Sequence, residues 1–193
     1  LIKDKNILIN KGFVRSNLIN SSFEGDVSFK PYFYFILDFE PSLIDVEKLN
    51  LIIKQNLFSE NYDLMNIIKK LDGSLNFKNK FNGRVIFKNR EISLESFQLD
   101  KEKKISLNAQ IYEFGKKGRI QFNLTNDVKK ISISGFLTPS SSKIKFDEIV
   151  FKKKVFKKNE LKEYEEKFEN EIINGSIVNI FNKIKINNFF KNF

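Results

Sequence analysis

The chain has no cysteine, no histidine and no tryptophan, and each gap closes off chemistry. Without Cys there is no disulfide and no thiol nucleophile; without His there is no imidazole base; without both there is no Cys/His zinc site. A Ser-His-Asp triad is impossible within it. Proline occurs three times and glycine eight times in 193 residues, and the one alanine is Ala109. Arginine is down to four residues against 30 lysines. No window holds 18 consecutive apolar residues. The richest run, Pro31 to Leu43, contains Asp38 and Glu40, so no segment reads as a membrane-spanning helix.

What is present is narrow. Lys, Ile, Asn and Phe fill 100 of the 193 positions, a bias that A+T-rich coding produces unaided. The net charge of +10 and pI near 9.5 therefore point less firmly than usual to nucleic acid or an anionic membrane, and arginine, the better fork for phosphate, is scarce. The charge is uneven: residues 1–60 carry net −1, residues 61–150 net +7 and residues 151–193 net +4. The size, 22.7 kDa, suits one domain, and the first residue is Leu1 rather than Met, so the chain reads as a fragment of something longer.

Residues 1–40 read as strands. Phe23, Gly25, Val27 and Phe29 alternate with Glu24, Asp26 and Ser28, and Tyr32 to Phe39 is apolar on both faces, as in a strand buried on two sides. The period then changes. Asp45 is a good N-cap for a helix striped by Val46, Leu49, Ile52, Ile53 and Leu57. Asn61 opens a second helix with Leu64, Ile67, Ile68 and Leu71, ended by Gly73. From Gly73 to Phe151 alternating segments recur about every 12 residues, separated by turn chemistry, with a parity slip that predicts a bulge near Ser96. Short connections dictate antiparallel, sequential pairing. After a basic run from Lys152 to Lys158, Asn159 caps a helix carrying Leu161, Tyr164, Phe168 and Ile172; Asn174-Gly175 ends it. Ser176 caps a further turn or two with Ile177, Ile180, Phe181 and Ile184, and the tail Phe189-Phe190-Phe193 is aromatic.

The fold expected is mainly β: an elongated, twisted antiparallel meander sheet with an apolar groove, two short helices near 45–72 and a helical C-terminal segment. Residues 1–151 form the groove-like domain, with a helical insert at 42–72. Residues 152–193 form a basic linker and amphipathic helices suited to a membrane surface. No catalytic, metal or cofactor site is expected. Glu163, Glu165, Glu166, Glu169 and Glu171 read as a solvated helix face, and Gly115-Lys116-Lys117-Gly118 lacks the Ser/Thr end of a phosphate loop and reads as a hairpin turn. The sheet's apolar face is the main object. Ile105, Leu107, Ile111, Ile120, Phe122, Ile131, Ile133, Ile144 and Phe146 are the expected groove lining for acyl chains, with Lys116, Lys117, Lys143 and Lys145 at a headgroup rim. Two or three short helices do not obviously cover six strands of some 26 Å each. The alternative is a basic β-rich binding or structural module for nucleic acid or a protein partner, using Lys129, Lys130, Lys143 and Lys145.

Two stretches carry a family resemblance: Phe23-Glu24-Gly25-Asp26-Val27-Ser28-Phe29-Lys30-Pro31 with its following apolar strand, and Leu71-Asp72-Gly73-Ser74-Leu75-Asn76-Phe77 leading to Phe81-Asn82-Gly83-Arg84-Val85-Ile86-Phe87-Lys88-Asn89 and Ile92-Ser93-Leu94. Over about residues 20–150 the order of elements resembles the AsmA-like family of bacterial envelope proteins, of TamB and YhdP type. The resemblance implies a C-terminal fragment of a periplasmic protein held at the inner membrane by an N-terminal helix outside this chain. It implies a curved sheet whose groove carries phospholipid for outer-membrane biogenesis, and no catalytic residues. The partners it implies are phospholipid, a membrane surface and other envelope proteins; nucleic acid is not among them. A chain without Cys tolerates an oxidising periplasm.

Overall fold

The computed structural model describes residues 2–3, 6–29, 33–58, 66–79, 82–115, 117–174, 177–178 and 182–193. One sheet of 12 strands runs in sequence order: β1 (Ile2–Lys3), β2 (Asn6–Arg15), β3 (Ile19–Ser28), β4 (Tyr34–Ile44), β5 (Asp72–Phe77), β6 (Gly83–Lys88), β7 (Glu91–Asp100), β8 (Ile105–Glu113), β9 (Arg119–Asn126), β10 (Ile131–Thr138), β11 (Lys143–Phe151) and β12 (Lys154–Val155). At the usual strand spacing such a sheet is about 50 Å wide. From β5 to β12 every neighbour pair is antiparallel, as the short connections require. The expected mainly-β meander is the observed one.

The exception is β4 with β5, which pair in parallel from Tyr34↔Asp72 to Phe39↔Phe77. The connection is α1 (Val46–Leu57), which carries the chain back across the sheet. Its N-cap is Asp45, whose side chain accepts the Lys48 N–H at 3.0 Å. Residues 66–68 are helical too, while Asn61 and Leu64 lie outside the described residues. Gly73 does not end that helix. It sits inside β5 with φ +148°.

The register makes one face continuously apolar. Phe35, Gly73, Phe87, Ile92, Ile111, Ile120, Leu137 and Ile144 pair in a row from β4 to β11. Leu37, Leu75, Val85, Leu94, Ala109, Phe122, Gly135 and Phe146 form the next. The bulge falls where expected: the register shifts between Leu94 and Phe97, and Ser96 takes φ +51° and donates its N–H to Asn108 Oδ1 at 2.8 Å. That extra residue returns Phe97 and Leu99 to the apolar side. The other face is polar and cross-bonded, with Ser106 to Thr125 at 2.7 Å and Ser132 to Asn123 at 3.1 Å. On it Tyr34 and Ile36 are exposed, so β4 is covered on one side at most.

Beyond the sheet lie α2 (Lys158–Ile172), a two-residue hairpin of β13 (Ile173–Asn174) and β14 (Ile177–Val178), α3 (Lys183–Phe189) and a final 3-10 turn, Phe190–Asn192. Helix α2 begins two residues before Asn159 would allow, because Glu160 reaches back and accepts the Lys157 N–H at 2.8 Å. Gly175, Ser176, Ile180 and Phe181 are outside the described residues. The segment is not an appendage. Leu161, Phe168, Ile172, Ile186, Phe189 and Phe190 share one buried core with β8–β11, and Phe193 stacks on Tyr164 with centroids 4.4 Å apart. The aromatic tail, expected at a membrane surface, is spent in that core.

Candidate functional site

The structure divides the apolar face in two. Over β8–β11 it is closed. Of the nine expected groove residues, Ile105, Leu107, Ile111, Phe122, Ile131, Ile133, Ile144 and Phe146 are all buried, and Ile120 is half-buried between two cores. Phe168 of α2 sits at the centre of the larger core, stacked on Phe122 at 6.3 Å and edge-on to Phe146 at 5.6 Å and Phe189 at 4.8 Å. These residues are a core beneath helices and not an open floor. The physical reason is the large apolar surface of α2, α3 and the final turn, whose phenylalanines reach across several strands.

The expected rim is not assembled either. Lys116 lies outside the described residues and Lys117 is exposed in the β8–β9 hairpin. Lys143 and Lys145 alternate with the buried Ile144 and Phe146, so they project from the opposite, polar face.

Over β3–β7 the described residues leave the face partly open, with Phe35 and Ile92 buried on it. Its middle row, Leu37, Leu75, Val85 and Leu94, is half-buried. Two aromatic tracks border it. Phe23, Phe39, Phe77 and Phe97 follow one another at 5.3, 5.7 and 5.8 Å. Phe29, Phe33, Phe35 and Phe87 do so at 5.6, 5.9 and 5.8 Å. The tracks lie four residues apart along β4, roughly 13 Å. Phe29 and Phe33 remain 50% and 39% exposed.

Glycines let the rings lie flat. Phe35 and Phe87 meet across Gly73, where a Cβ would come within 2.8 Å of the Phe35 ring, and Phe97 covers Gly83, with a Cβ there 2.6 Å from its ring. Among the described residues, helix α1 and the 66–71 segment cover the β6–β8 side of this region, where Leu57, Phe58 and Ile68 form a core with Ile92 and Ile111 and the half-buried Val85 and Phe87 pack against it. Phe23, Leu37, Phe39, Leu75 and Phe77 belong to neither buried core.

Asp38, on the polar face, takes hydrogen bonds from Lys78 at 2.6 Å and Asn76 at 2.7 Å, which hold its carboxyl below the ordinary range and raise Lys78 in turn. Among the described residues no three His, Cys, Asp or Glu side chains gather as metal ligands. The face can bury apolar chains against leucine and phenylalanine and exclude water from them.

The sequence reading placed the open surface on the wrong strands. A usable signal was present in Phe77, Phe87 and Phe97, ten residues apart on successive strands, with Gly73 and Gly83 each four residues before Phe77 and Phe87. No protein-family model, curated protein or solved structure matches the chain.

Proposed function

We propose that this protein is a non-enzymatic carrier of phospholipid acyl chains in the bacterial cell envelope, and that the chains lie on the open floor of β3–β7. The observation that carries this reading is the row Leu37, Leu75, Val85 and Leu94 between two phenylalanine tracks, left half-exposed by every described helix. Apolar faces of this extent mark binding surfaces, and each buried methylene contributes about 0.8 kcal/mol. The likeness of residues 20–150 to AsmA-like envelope proteins supports the same cargo and a periplasmic setting, as does a side-chain inventory without His or Cys. The closed core over β8–β11 takes no part in this account.

The test is photocrosslinking. A benzophenone amino acid at Leu37 should crosslink to phospholipid when the protein is mixed with vesicles, and one at Ile133 should not. Organic extracts of protein purified from native membranes should contain phospholipid by mass spectrometry. Clean protein, with equal crosslinking at both positions or none at either, would sink the proposal. The alternative nucleic-acid or protein-binding patch of Lys129, Lys130, Lys143 and Lys145 is not favoured. Lys129 Nζ donates to the Phe190 carbonyl, and Lys143 lies at the opposite end of the β10–β11 hairpin from Lys130.

A further inference from the structure

Three neighbouring hairpin tips at one end of the sheet carry an unusual density of lysine. The β7–β8 tip holds Lys101, Lys103 and Lys104; the β9–β10 tip holds Lys129 and Lys130; the β11–β12 tip holds Lys152 and Lys153, with Lys154 next in β12. The tips are tied into one ridge, since Asp127 N–H donates to the Lys104 carbonyl at 3.2 Å and Lys152 N–H to the Lys130 carbonyl at 3.0 Å. Lys101, Lys103, Lys104, Lys130 and Lys153 are exposed, and among the described residues none forms an ion pair. The acidic residues exposed on the same tips are Glu102 and Asp127.

Coding bias does not account for this placement. Lys104, Lys130, Lys152 and Lys153 have φ of 48°, 57°, 49° and 72°, the left-handed region that Gly and Asn occupy most easily. Asn codons are as A+T-rich as Lys codons, and the chain uses Asn at 23 positions, including the left-handed Asn79 and Asn89. At these tips the sequence holds lysine where the backbone would favour asparagine.

Two exposed valines accompany these lysines, one at the β9–β10 tip and one in β12 beside the last tip. Val128 is 61% exposed and Val155 54%. Between the last two tips lies an open cleft of about 530 Å³, with Phe151 and Phe193 on its walls and Lys130, Lys152 and Lys153 around it. Lys152 Nζ stands 4.8 Å from the centre of the Phe151 ring.

We propose that this end of the sheet docks on an anionic phospholipid bilayer, with the lysines against headgroup phosphates and Val128 and Val155 at the acyl boundary. Lysines whose stems lie along apolar surface suit that interface. Nucleic acid fits less well: all four arginines are elsewhere, at positions 15, 84, 90 and 119, and the exposed large hydrophobics at this end are Val128 and Val155, with Phe151 and Phe193 half-buried, so no fully exposed aromatic stands ready to stack on bases. The inference stands independently of the acyl-chain reading, because docking needs none of the β3–β7 floor.

The test is vesicle flotation with the full chain. Mixed phosphatidylcholine–phosphatidylglycerol vesicles should bind it at low salt, release it at high salt, and bind far more strongly than phosphatidylcholine alone. Replacing Lys101, Lys103, Lys104, Lys130 and Lys153 together with Gln should weaken binding by about three-thousandfold, at roughly fivefold per lysine. Replacing Lys88, Lys117, Arg119, Lys143 and Lys145 with Gln removes the same charge elsewhere and should leave binding within about twofold. The chain has no tryptophan, so Val128→Trp supplies a single reporter in an otherwise unchanged protein. Its emission should shift to the blue on anionic vesicles. No binding to anionic vesicles, equal losses in the two five-fold variants, or an unshifted emission on bound protein would each overturn the proposal. So would release of the protein from vesicles by a short DNA duplex at matched charge.

Discussion

Glu165 of α2 accepts the backbone N–H of Phe146 in β11 at 2.7 Å, and one turn on Glu169 accepts that of Ile144 at 3.3 Å. Both donors lie on the side of β11 away from β10, where β12 pairs only Val150 and Phe151. A helix thus satisfies a sheet edge that would otherwise recruit another strand. Losing both carboxylates in Glu165→Ala/Glu169→Ala should cost roughly 2–4 kcal/mol, as hydrogen bonds to charged groups do. Urea denaturation should show the loss, and amide exchange at Ile144 and Phe146 should accelerate while that of β9 holds. Unchanged exchange at those two amides would mean that the helix covers the edge without bonding to it.

Asp100 fastens α3 to the β7–β8 tip. Its carboxylate accepts from Asn187 Nδ2 at 2.8 Å and from the Glu102 and Lys103 amides at 3.0 and 3.1 Å, and Lys183 Nζ stands 3.5 Å away. Burial works against its charge, but Asn187, the Lys103 amide and Lys183 more than offset it, so the carboxyl sits below its ordinary value. A carboxyl depressed in the folded state contributes stability that is fully present above its unfolded pKa of about 3.9 and is lost as pH falls through the lower folded value. The wild type should therefore lose stability relative to Asp100→Asn as acid titrates this group. The gap between their melting temperatures should be constant from neutral pH to about pH 5 and narrow below about pH 4. A constant gap at all pH values would show that the charge contributes nothing.

Gly73 holds φ +148° in mid-strand, with the Phe35 ring over it; a methyl group there would collide with the Phe35 carbonyl oxygen. Gly73→Ala should cost at least about 3 kcal/mol, combining backbone strain with displacement of the ring. Chemical denaturation checks the magnitude, and a near-ultraviolet spectrum checks that the Phe35–Phe87 contact has moved. A variant as stable as the wild type would show that β5 adapts by a register or backbone shift.

Local features were legible because local rules set them. The alternation of Ile105, Leu107, Ala109 and Ile111 marks one face of a strand whatever it packs against. The parity slip before Phe97 requires an extra residue, and Leu161, Phe168 and Ile172 define a helix stripe. What covers that face was not legible. A stripe says that a helix buries one side but not on which strands, and Phe189 and Phe190, which suggest a membrane surface in the sequence, have the same apolar character as a core plug. Gly73, coming after an apolar stripe, looked like a helix end. Its role depends on Phe35, 38 residues earlier, brought beside it by a parallel pairing that alternation does not encode.

The two halves of the apolar face should answer differently to the same substitution. Phe122 and Ile133 are 2% and 0% exposed beneath α2 and α3, so an aspartate there has neither water nor a partner. Phe122→Asp and Ile133→Asp should each cost several kcal/mol and unfold the domain. Leu37 and Leu75 are half-buried on the floor outside both cores. An aspartate there keeps part of its hydration, so Leu37→Asp and Leu75→Asp should cost no more than about 1–2 kcal/mol. If acyl chains lie on that floor, a carboxylate in their path should abolish lipid uptake from vesicles while the circular dichroism melt stays cooperative. Unfolding of the Leu37 and Leu75 variants would mean that this region is a closed core as well. Cooperative melting with undiminished uptake would place the cargo elsewhere and remove the basis for lipid carriage along β3–β7.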